Sequence, residues 1–404
     1  MAKILYITTT YILKNSSAAI RNNSVVKGFI QLGHDVDVYT LEWSPNLFSP
    51  FFKTENNGNI NYSTLSNLNK IASIKKKVKK NHPFLSKSKQ ILKKILFFPD
   101  ECSEWIKIFD YNKIPFDKYD FFITSSDHKT SHFIGYKIKQ KHNNLQWIQI
   151  WGDPWSSDLS TLRFMKGITA HYEKKMITAA DNVIYVSAIT ANEMKKKHPK
   201  LSHKIHFIPR SYYPTKIEYV NDNSQTDKIK IVYTGLISSG RNIFHLLNVL
   251  ETNNCYNKNI QIDIYGNLSY EIKEKLKGYS FVNIFDGIDF EHMNSIYESA
   301  SILLFLSNKG GASQIPGKFF DYMGTTKPIL CLMEDDKDEV SSFLRNYDRC
   351  LVIKNTIDSI KFNLEEIFKL SEKKFDKDEE FSPKTIAAKI LKYLRINHSE
   401  QCAR

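Results

Sequence analysis

The segment from Ser301 to Leu332 is the most informative part of the sequence. It reads Ser301-Ile-Leu-Leu-Phe-Leu-Ser, then Asn308-Lys-Gly-Gly-Ala-Ser-Gln-Ile-Pro-Gly-Lys-Phe-Phe-Asp-Tyr-Met-Gly, and after two threonines Lys327-Pro-Ile-Leu-Cys-Leu. The two apolar runs predict strands of a parallel sheet that is covered on both faces, because the side chains on both faces of such strands are buried. Glycines after the first run and Pro316 at a helix start predict a loop and a helix between the strands.

The loop and helix of this segment predict an anion site. Helix N-termini carry partial positive charge and free N–H donors, and here they would lie beyond the carboxyl end of a strand, where a phosphate or pyrophosphate fits. Lys318 adds a full charge. Asp321 follows one helical turn later, where a carboxylate can accept hydrogen bonds from sugar hydroxyls. Each residue alone is more simply explained as a solvated side chain, but the whole arrangement favours a site.

This helix and strand segment resembles the nucleotide-sugar segment of bacterial family 4 glycosyltransferases, which have the GT-B fold. Members commonly read Pro-Ser-Lys, two apolar residues, Glu-Tyr, a turn of small residues, and Lys-Pro before a strand. The resemblance implies that Lys318 contacts the diphosphate of the donor and that Asp321 contacts its ribose. The chain departs from the pattern in having Asp321 in place of Glu, and Ser313 where many members have a second Glu. The donor contacts that the resemblance implies in this segment are Ser313, Gln314, Gly317, Lys318 and Asp321.

Length and composition indicate a globular protein of two domains. Of its 404 residues, 42% are hydrophobic and 25% charged, which is typical of globular proteins. A chain of this length is too long to fold around a single hydrophobic core. The sequence contains no run of about 18 apolar residues and therefore predicts no membrane span. The N-terminal residues lack the pattern of a signal peptide. Five scattered cysteines without a CxxC pair favour reduced thiols and argue against a zinc site. The net charge of +14 indicates an anionic partner: a phosphorylated substrate, an acidic membrane or nucleic acid.

The first half has the strand and helix order of a Rossmann-like domain. Apolar runs at 3–8 and 35–40 predict parallel strands, and the apolar spacing between 20 and 32 predicts the helix that connects them. Arg21 lies on this helix, where a phosphate contact and an ordinary surface position are both compatible with the sequence. Later apolar runs predict strands at 120–125, 147–151 and 183–187.

Two residues of the first half are candidates for catalysis. His132 and Asp153 each follow a predicted strand, and functional residues of doubly wound sheets gather beyond strand carboxyl ends. Asp153-Pro-Trp resembles a segment of polysaccharide glycosyltransferases, which implies a carboxylate that stabilises an oxocarbenium ion or positions the acceptor hydroxyl. The alternatives are a turn or N-cap role for Asp153 and a capping or packing role for His132.

The segment Lys70–Lys94 differs in composition from the rest of the chain. It contains ten lysines and no acidic residue, interleaved with apolar side chains. This pattern favours contact with an anionic membrane, where each lysine near the surface contributes about 1 kcal/mol. A solvated loop is one alternative, and nucleic-acid binding is another, although no nucleic-acid motif accompanies the charge.

The second half repeats the strand and helix order. The apolar run Lys230–Thr234 predicts a strand. The loop from Gly235 to Arg241 follows this strand and precedes a predicted helix, so it is a second glycine-containing loop that could bind an anion. In the family, the cation that ends this loop pairs with the downstream lysine on the diphosphate. The resemblance therefore implies that role for Arg241 beside Lys318, with Gly235 in the donor loop. Two cations on one diphosphate would stabilise its departure without a metal.

Together these patterns predict an α/β protein of the GT-B class, with two doubly wound Rossmann-like domains facing a central cleft. The expected parts are an acceptor-binding domain over 1–212, with a basic insertion at 70–95, and a nucleotide-sugar-binding domain over 213–382. A last helix within 383–404 is expected to pack back on the first domain.

The resemblance implies a retaining, metal-independent hexosyltransferase. The enzyme would move a sugar from a nucleoside-diphosphate donor to a lipid-linked or glycan acceptor in bacterial capsule, O-antigen or teichoic-type polysaccharide synthesis. It would need no cofactor besides the donor, bind no nucleic acid, and act in the cytoplasm at the inner face of the plasma membrane. The alternatives are a nucleotide-sugar epimerase on the same fold and an inactive basic scaffold that binds membrane or nucleic acid.

Overall fold

The computed structural model of the chain contains two compact units. It describes residues 1–54, 58–65, 96–158, 161–214, 228–237, 240–253, 259–308 and 315–394, so the basic insertion predicted at 70–95 lies outside the described residues. Unit 1 comprises Met1–Tyr213 and the segment that starts at Glu380, and unit 2 comprises Pro214–Glu379. Among the described residues, no helix combines the length and the apolar character that crossing a membrane requires.

Unit 1 is built on a parallel sheet. Its strands are β1 Lys3–Thr8, β2 Asp35–Glu42, β3 Asn59–Thr64, β4 Phe121–Ser125, β5 Gln146–Trp151, β6 Asn182–Tyr185 and β7 Ile205–Phe207. They are arranged in the order β3-β2-β1-β4-β5-β6-β7, and each neighbouring pair is parallel. The order reverses between β1 and β4, so the loops after these two strands flank the crevice where doubly wound sheets bind ligands.

Burial separates the central strands of this sheet from its edge. β1, β4 and β5 are almost continuous buried runs, in agreement with the apolar runs of the sequence. β3 lies at the edge, and its residues Asn-Ile-Asn-Tyr-Ser-Thr are exposed or half-buried. This strand has no apolar run because it has no face enclosed by the core, and the sequence therefore does not predict it.

The helices of unit 1 alternate with its strands. They are α1 Ser17–Gln31, α2 Pro50–Thr54, α3 Trp105–Ile108, α4 Thr130–Lys141, α5 Lys166–Ala179 and α6 Ala188–Lys197. α1 begins three residues before the apolar spacing that starts at Ile20, because the side chain of Ser16 caps it by accepting a hydrogen bond from the Ala19 N–H at 3.3 Å.

Unit 2 has a second parallel sheet. Its strands are β8 Ile229–Thr234, β9 Ile260–Tyr265, β10 Val282–Phe285, β11 Ile302–Leu306, β12 Ile329–Met333 and β13 Cys350–Lys354, in the order β10-β9-β8-β11-β12-β13. Its helices are α7 Phe244–Glu251, α8 Tyr270–Leu276, α9 Phe290–Ser299, α10 Gly317–Met323, α11 Glu339–Leu344, α12 Ile357–Phe362 and α13 Leu364–Leu370. β11 and β12 are fully buried neighbours, as the opening segment predicts.

The chain returns to unit 1 with α14, which covers Pro383–Leu391. α14 packs on α1, and the contact is closest at Gly28, where an added Cβ would fall 2.0 Å from the carbonyl oxygen of Pro383. Ile386, Ala387 and Ile390 on α14 join the hydrophobic core of unit 1.

A buried carboxylate connects three parts of unit 1. Glu173 on α5 has no exposed surface. It accepts hydrogen bonds from the Trp155 N–H at 2.6 Å, the Ser156 hydroxyl at 2.6 Å and the Lys197 ammonium group at 2.7 Å. Burial by itself would raise the pKa of Glu173, but the bonds from Lys197 and Ser156 outweigh it and hold the pKa below its usual value.

We expect Glu173→Gln to destabilise the protein by about 3 kcal/mol, because the substitution leaves buried donors without their charged acceptor. A carboxyl group whose pKa is lower in the folded than in the unfolded protein stabilises the fold at pH values above the pKa of the unfolded state. This stabilisation is lost as the pH falls through the pKa of the folded state. The wild type should therefore lose more stability than the variant below pH of about 4.5. Urea unfolding at several pH values measures both effects. Glu193→Gln, on an exposed position of α6, is the matched control. Equal stability of the two variants would contradict the assignment.

Candidate functional site

Lys318 reaches from the first turn of α10 to the carboxyl end of β8. Its Nζ lies 5.2 Å from the centroid of the Tyr233 ring. A Cβ added to Gly235 would fall 1.6 Å from this Nζ, so any larger residue at 235 would displace the amine. Gly235 also has a φ of 130°, a conformation that favours glycine. The residue after β8 is therefore a glycine for two reasons, its backbone conformation and the space that Lys318 occupies.

Arg241 belongs to the same cluster. Its Nε donates a hydrogen bond to Asn308 Oδ1 at 2.7 Å, which connects the loop after β8 to the loop after β11. Burial raises the pKa of Tyr233, and the charge of Arg241 partly offsets this, so the guanidinium lies close to the Tyr233 hydroxyl. That hydroxyl donates to the carbonyl of Leu236 at 2.9 Å. Tyr233 thus contacts Lys318 through its ring and lies close to Arg241 through its hydroxyl.

The surroundings of Lys318 disfavour its charged form in the free protein. Burial and the charge of Arg241 lower the pKa of Lys318 to about 8, and the Asp321 carboxylate offsets only part of this effect. Two cations that repel each other in a half-buried site gain free energy when an anion binds between them. The arrangement is therefore suited to a group with more than one negative charge, such as a diphosphate.

The structure brings together most of the donor residues that the resemblance implies. Gly317 is the first residue of α10, and Asp321 lies one turn further along the same helix. Ser313 and Gln314 lie outside the described residues. Sequence reasoning missed Tyr233 and Asn308, although both are polar residues at or just beyond the carboxyl end of a predicted strand.

Asp153 lies in the loop after β5, at the carboxyl edge of the sheet in unit 1. Its main-chain carbonyl accepts a hydrogen bond from Lys129 Nζ at 3.0 Å. Lys129 also donates to Asp127 Oδ1 at 2.8 Å and lies 4.9 Å from the Trp151 ring centroid. One lysine therefore joins the loops that follow β4 and β5.

Asp127 is a charged residue of this edge that sequence reasoning missed. Burial alone would raise its pKa, but Lys129 and Arg21 hold the pKa well below its usual range. The carboxylate is therefore ionised at neutral pH. The available signal was its position in Ser125-Ser-Asp-His, directly after β4.

The structure favours packing over catalysis for His132. The side chain has no exposed surface, and the ring stacks on Trp151 with 4.3 Å between centroids. Its Nδ1 lies 2.7 Å from Thr124 Oγ1. Burial lowers its pKa well below the usual value, so the ring is neutral. The imidazole is enclosed between α4 and the sheet, an arrangement that agrees with the packing alternative.

Arg21 does not have the ordinary surface position that was one of its two alternatives in the sequence. It is not a surface arginine, because only 6% of the residue is exposed. Its Nη2 lies 3.3 Å from Ser125 Oγ, at the end of β4. The side chain therefore reaches from α1 to the carboxyl edge of the sheet, the edge at which doubly wound sheets bind ligands.

Metal ligands are not grouped in the described parts of the chain, where no three His, Cys, Asp or Glu side chains lie close enough together to hold an ion. In unit 2, Arg241 and Lys318 place positive charge at the carboxyl end of β8. Charge-assisted hydrogen bonds from such groups bind phosphate oxygens directly.

Solved structures show the same architecture. HepE from Anabaena, solved with UDP and glucose, aligns over 97% of this chain and 95% of its own length, with a TM-score of 0.56 and 10% identity. The lipopolysaccharide outer core galactosyltransferase WaaB aligns over 97% and 98%, with a TM-score of 0.51 and 13% identity. A putative UDP-N-acetylglucosamine 2-epimerase from Listeria monocytogenes aligns over 96% and 94%, with a TM-score of 0.54 and 10% identity. No protein-family model and no curated protein matches the sequence.

Identities this low establish the fold and nothing finer. The alignments nevertheless extend over both units and over nearly the full length of each matched protein. Each unit has a parallel sheet whose strand order reverses next to its first strand, as in Rossmann-like domains. The chain therefore has the GT-B fold, with two Rossmann-like domains, which confirms the fold class that the sequence predicts.

Proposed function

We propose that the protein is a glycosyltransferase whose donor is a nucleoside-diphosphate sugar. The observation that carries this proposal is the convergence of Lys318 and Arg241 at the carboxyl end of β8, where the repulsion by Arg241 acts on Lys318 more strongly than the attraction by Asp321. A diphosphate would bind between the two cations and relieve this repulsion. The fold is shared with WaaB, a galactosyltransferase, and with HepE, which was solved with UDP and glucose.

The chemistry follows from these charges. In sugar transfer, the bond between the anomeric carbon and the diphosphate oxygen breaks, and the diphosphate leaves with the electron pair. The acceptor hydroxyl forms the new bond, and its proton passes to an oxygen of the leaving diphosphate. Lys318 and Arg241 stabilise the charge that develops on the leaving diphosphate, and Asp321 accepts hydrogen bonds from the ribose hydroxyls. In this proposal, Asp153 remains the carboxylate that faces the sugar or the acceptor.

The finer parts of the proposal rest on the family resemblance. They are retention at the anomeric carbon, transfer of a hexose without a metal, and a lipid-linked or glycan acceptor in bacterial surface polysaccharide synthesis. The proposed location is the inner face of the plasma membrane. Lys70–Lys94 would contact anionic lipid there, and its ten lysines support this part of the proposal.

A donor panel tests the main proposal. The full-length protein is titrated calorimetrically with UDP, GDP and CMP sugars, and the slow release of free nucleotide is followed without an acceptor. We expect a UDP or GDP sugar to bind and to be hydrolysed slowly, and CMP sugars to bind more weakly because they carry a single phosphate. Absence of binding by every diphosphate sugar would overturn the proposal in favour of a scaffold.

An epimerase is the second candidate, because a putative UDP-N-acetylglucosamine 2-epimerase has the same fold. The two activities differ in their need for an acceptor. An epimerase converts UDP-N-acetylglucosamine to its 2-epimer without one, and NMR of the sugar protons detects the new epimer directly. We expect no epimer signal, and its appearance would replace the transferase with the epimerase.

Donor affinity should depend on pH through Lys318. The lowered pKa of about 8 means that the amine of the free protein loses its charge as the pH rises above this value. A bound diphosphate favours the charged form, so binding takes up a proton above pH 8. We expect the dissociation constant of the preferred diphosphate sugar to be constant between about pH 6.5 and 7.5 and to rise towards pH 9. Calorimetry in buffers of different ionisation enthalpy measures both effects. A flat profile would contradict the assignment.

A further inference from the structure

One side of α5 exposes apolar and basic side chains together. A 3-10 turn, Arg163–Met165, leads directly into this helix. The exposed side chains that follow one another at intervals of three or four residues are Phe164, Ile168, His171 and Lys175. This spacing places them on one face of the helix. The opposite face is buried in unit 1, and its residues are Thr169, Glu173, Met176 and Ile177. α5 is therefore anchored on one side and open to solvent on the other.

Two large apolar side chains lie near the N-terminal end of the exposed side. Phe164 is 63% exposed and Ile168 is 48% exposed. A single exposed apolar side chain is ordinary at a protein surface. Two that are close together, and that Arg163 and Lys166 flank in the sequence, form a pattern typical of helices that lie in a membrane interface. Removal of these two side chains from water is favourable.

The cations on this side of α5 form no ion pair with another described residue. They are Arg163, Lys166, Lys174 and Lys175, and all four are exposed. Between 161 and 179 the sequence contains one acidic residue, Glu173, which is buried and bound by Lys197. The four cations, Phe164 and Ile168 together are called the α5 face. This face presents positive charge that an anionic partner neutralises.

The described chain resumes beside α5 after the basic insertion. The Phe98 ring lies 5.2 Å from the Tyr172 ring of α5, measured between centroids, and Leu96 is 69% exposed. The sequence that precedes Leu96 contains the ten lysines of Lys70–Lys94 and no acidic residue among them. A segment with this charge is repelled by a positive surface, so it is not a favourable cover for the α5 face. The charge of the face is complementary to an anionic partner outside the chain.

We propose that the α5 face docks on an anionic lipid surface. Phe164 and Ile168 enter the boundary between headgroups and acyl chains, and the four cations contact lipid phosphates. Ile168 has no ring to stack on a nucleobase, which favours lipid over nucleic acid. The proposal rests on the membrane location given under the proposed function, but it does not depend on the donor chemistry of unit 2.

Sedimentation of the full-length protein with vesicles tests the docking. The vesicles contain phosphatidylcholine mixed with phosphatidylglycerol, or phosphatidylcholine alone, and we expect tight binding only to the first. Phe164→Ser should weaken binding to the anionic vesicles about ten-fold, through the loss of one inserted aromatic side chain. The double variant Lys166→Gln, Lys174→Gln should weaken it about twenty-fold, because each lysine near the surface contributes about five-fold. All three side chains are exposed, so circular dichroism should be unchanged.

Unit 2 supplies a matched control for each variant. Phe362→Ser removes an aromatic side chain that is 90% exposed on α12. The double variant Lys275→Gln, Lys277→Gln removes the same charge as the lysine variant of α5, but each of these lysines is exposed and paired with a glutamate of α8. Both controls should bind the anionic vesicles within about two-fold of the wild type.

The docking proposal is overturned if the wild type does not sediment with anionic vesicles, if the α5 variants sediment as the wild type does, or if the controls lose equal affinity. Binding of oligothymidylate without vesicle binding, abolished by the α5 variants, would assign the face to nucleic acid instead. A concentration-dependent dimer that Phe164→Ser abolishes, again without vesicle binding, would assign it to a second copy of the chain. Titration with diphosphate sugars separates the two proposals. A wild type that binds vesicles but no donor would overturn only the donor chemistry.

Discussion

Lys318→Met is expected to weaken binding of the diphosphate sugar about a hundredfold and to reduce turnover further, since a hydrogen bond to a charged group contributes about 1.5–3 kcal/mol. Methionine keeps the unbranched apolar stem of lysine as far as Cε, so the substitution removes the ammonium group beside Tyr233 and Gly235 and leaves the rest of the packing in place. The missing charge affects turnover more than binding, because the leaving diphosphate carries more charge in the transition state. Without ligand, the variant should be as stable as the wild type or more stable, because a buried amine that is repelled by Arg241 has been removed.

Lys327→Met is the matched control for this prediction. Lys327 belongs to the same sequence segment but follows the C-terminal end of α10, where burial lowers its pKa and the nearby Glu298 offsets part of the change. We expect the donor affinity of the Lys327→Met variant to stay within about two-fold of that of the wild type. Calorimetry and nucleotide release measure both variants. Unchanged affinity of Lys318→Met, or an equal loss in Lys327→Met, would show that the charge of Lys318 does not hold the donor.

The sheets of both units follow from the sequence wherever strands are buried on both faces. The runs that become β1, β11 and β12 are continuous and apolar because each strand has neighbours on both sides and helices on both faces. The edge strand β3 was not predictable in this way, since half-buried polar residues carry no periodic signal. The start of a helix depends on its capping residue, so α1 begins at Ser17, next to the cap Ser16, and not at Ile20, where the apolar spacing starts.

The candidate site in unit 2 was predictable only in part. Arg241 and Lys318 are 77 positions apart in the sequence, and their pairing came from the resemblance and not from spacing. The sequence contains no sign that Tyr233 lies close to both of them or that the Lys318 amine occupies the place of a Gly235 side chain. Such contacts depend on how β8 and α10 pack, which local propensity does not determine. For the same reason the sequence did not reveal that Arg210 meets the first turn of α1.

Gly28→Ala is expected to be among the most destabilising single substitutions in unit 1. The added methyl group would fall 2.0 Å from the carbonyl oxygen of Pro383 and 2.8 Å from Ala387 Cβ, and the first of these atoms belongs to the backbone. The clash therefore cannot be relieved by a side-chain rotation, and α14 must move away from α1. Overpacking of a well-packed core costs about 1–3 kcal/mol, and the loss of contact by Ile386 and Ile390 adds to this. We expect a net loss of about 3 kcal/mol or more.

Gly167→Ala separates this steric effect from the intrinsic preference of helices for alanine. Gly167 is the second residue of α5, and a Cβ there would meet no atom within 4 Å. Alanine should therefore stabilise α5 by up to about 1 kcal/mol, the usual gain over glycine in a helix. Gly28 lies inside α1, where the same gain applies, so the difference between the two variants measures the cost of separating α14 from α1. Urea unfolding gives this difference, and limited proteolysis near 383 should be faster in Gly28→Ala alone. Similar stabilities for the two variants would mean that α14 does not need its close contact with α1, and that the C-terminal helix contributes little to holding unit 1 together.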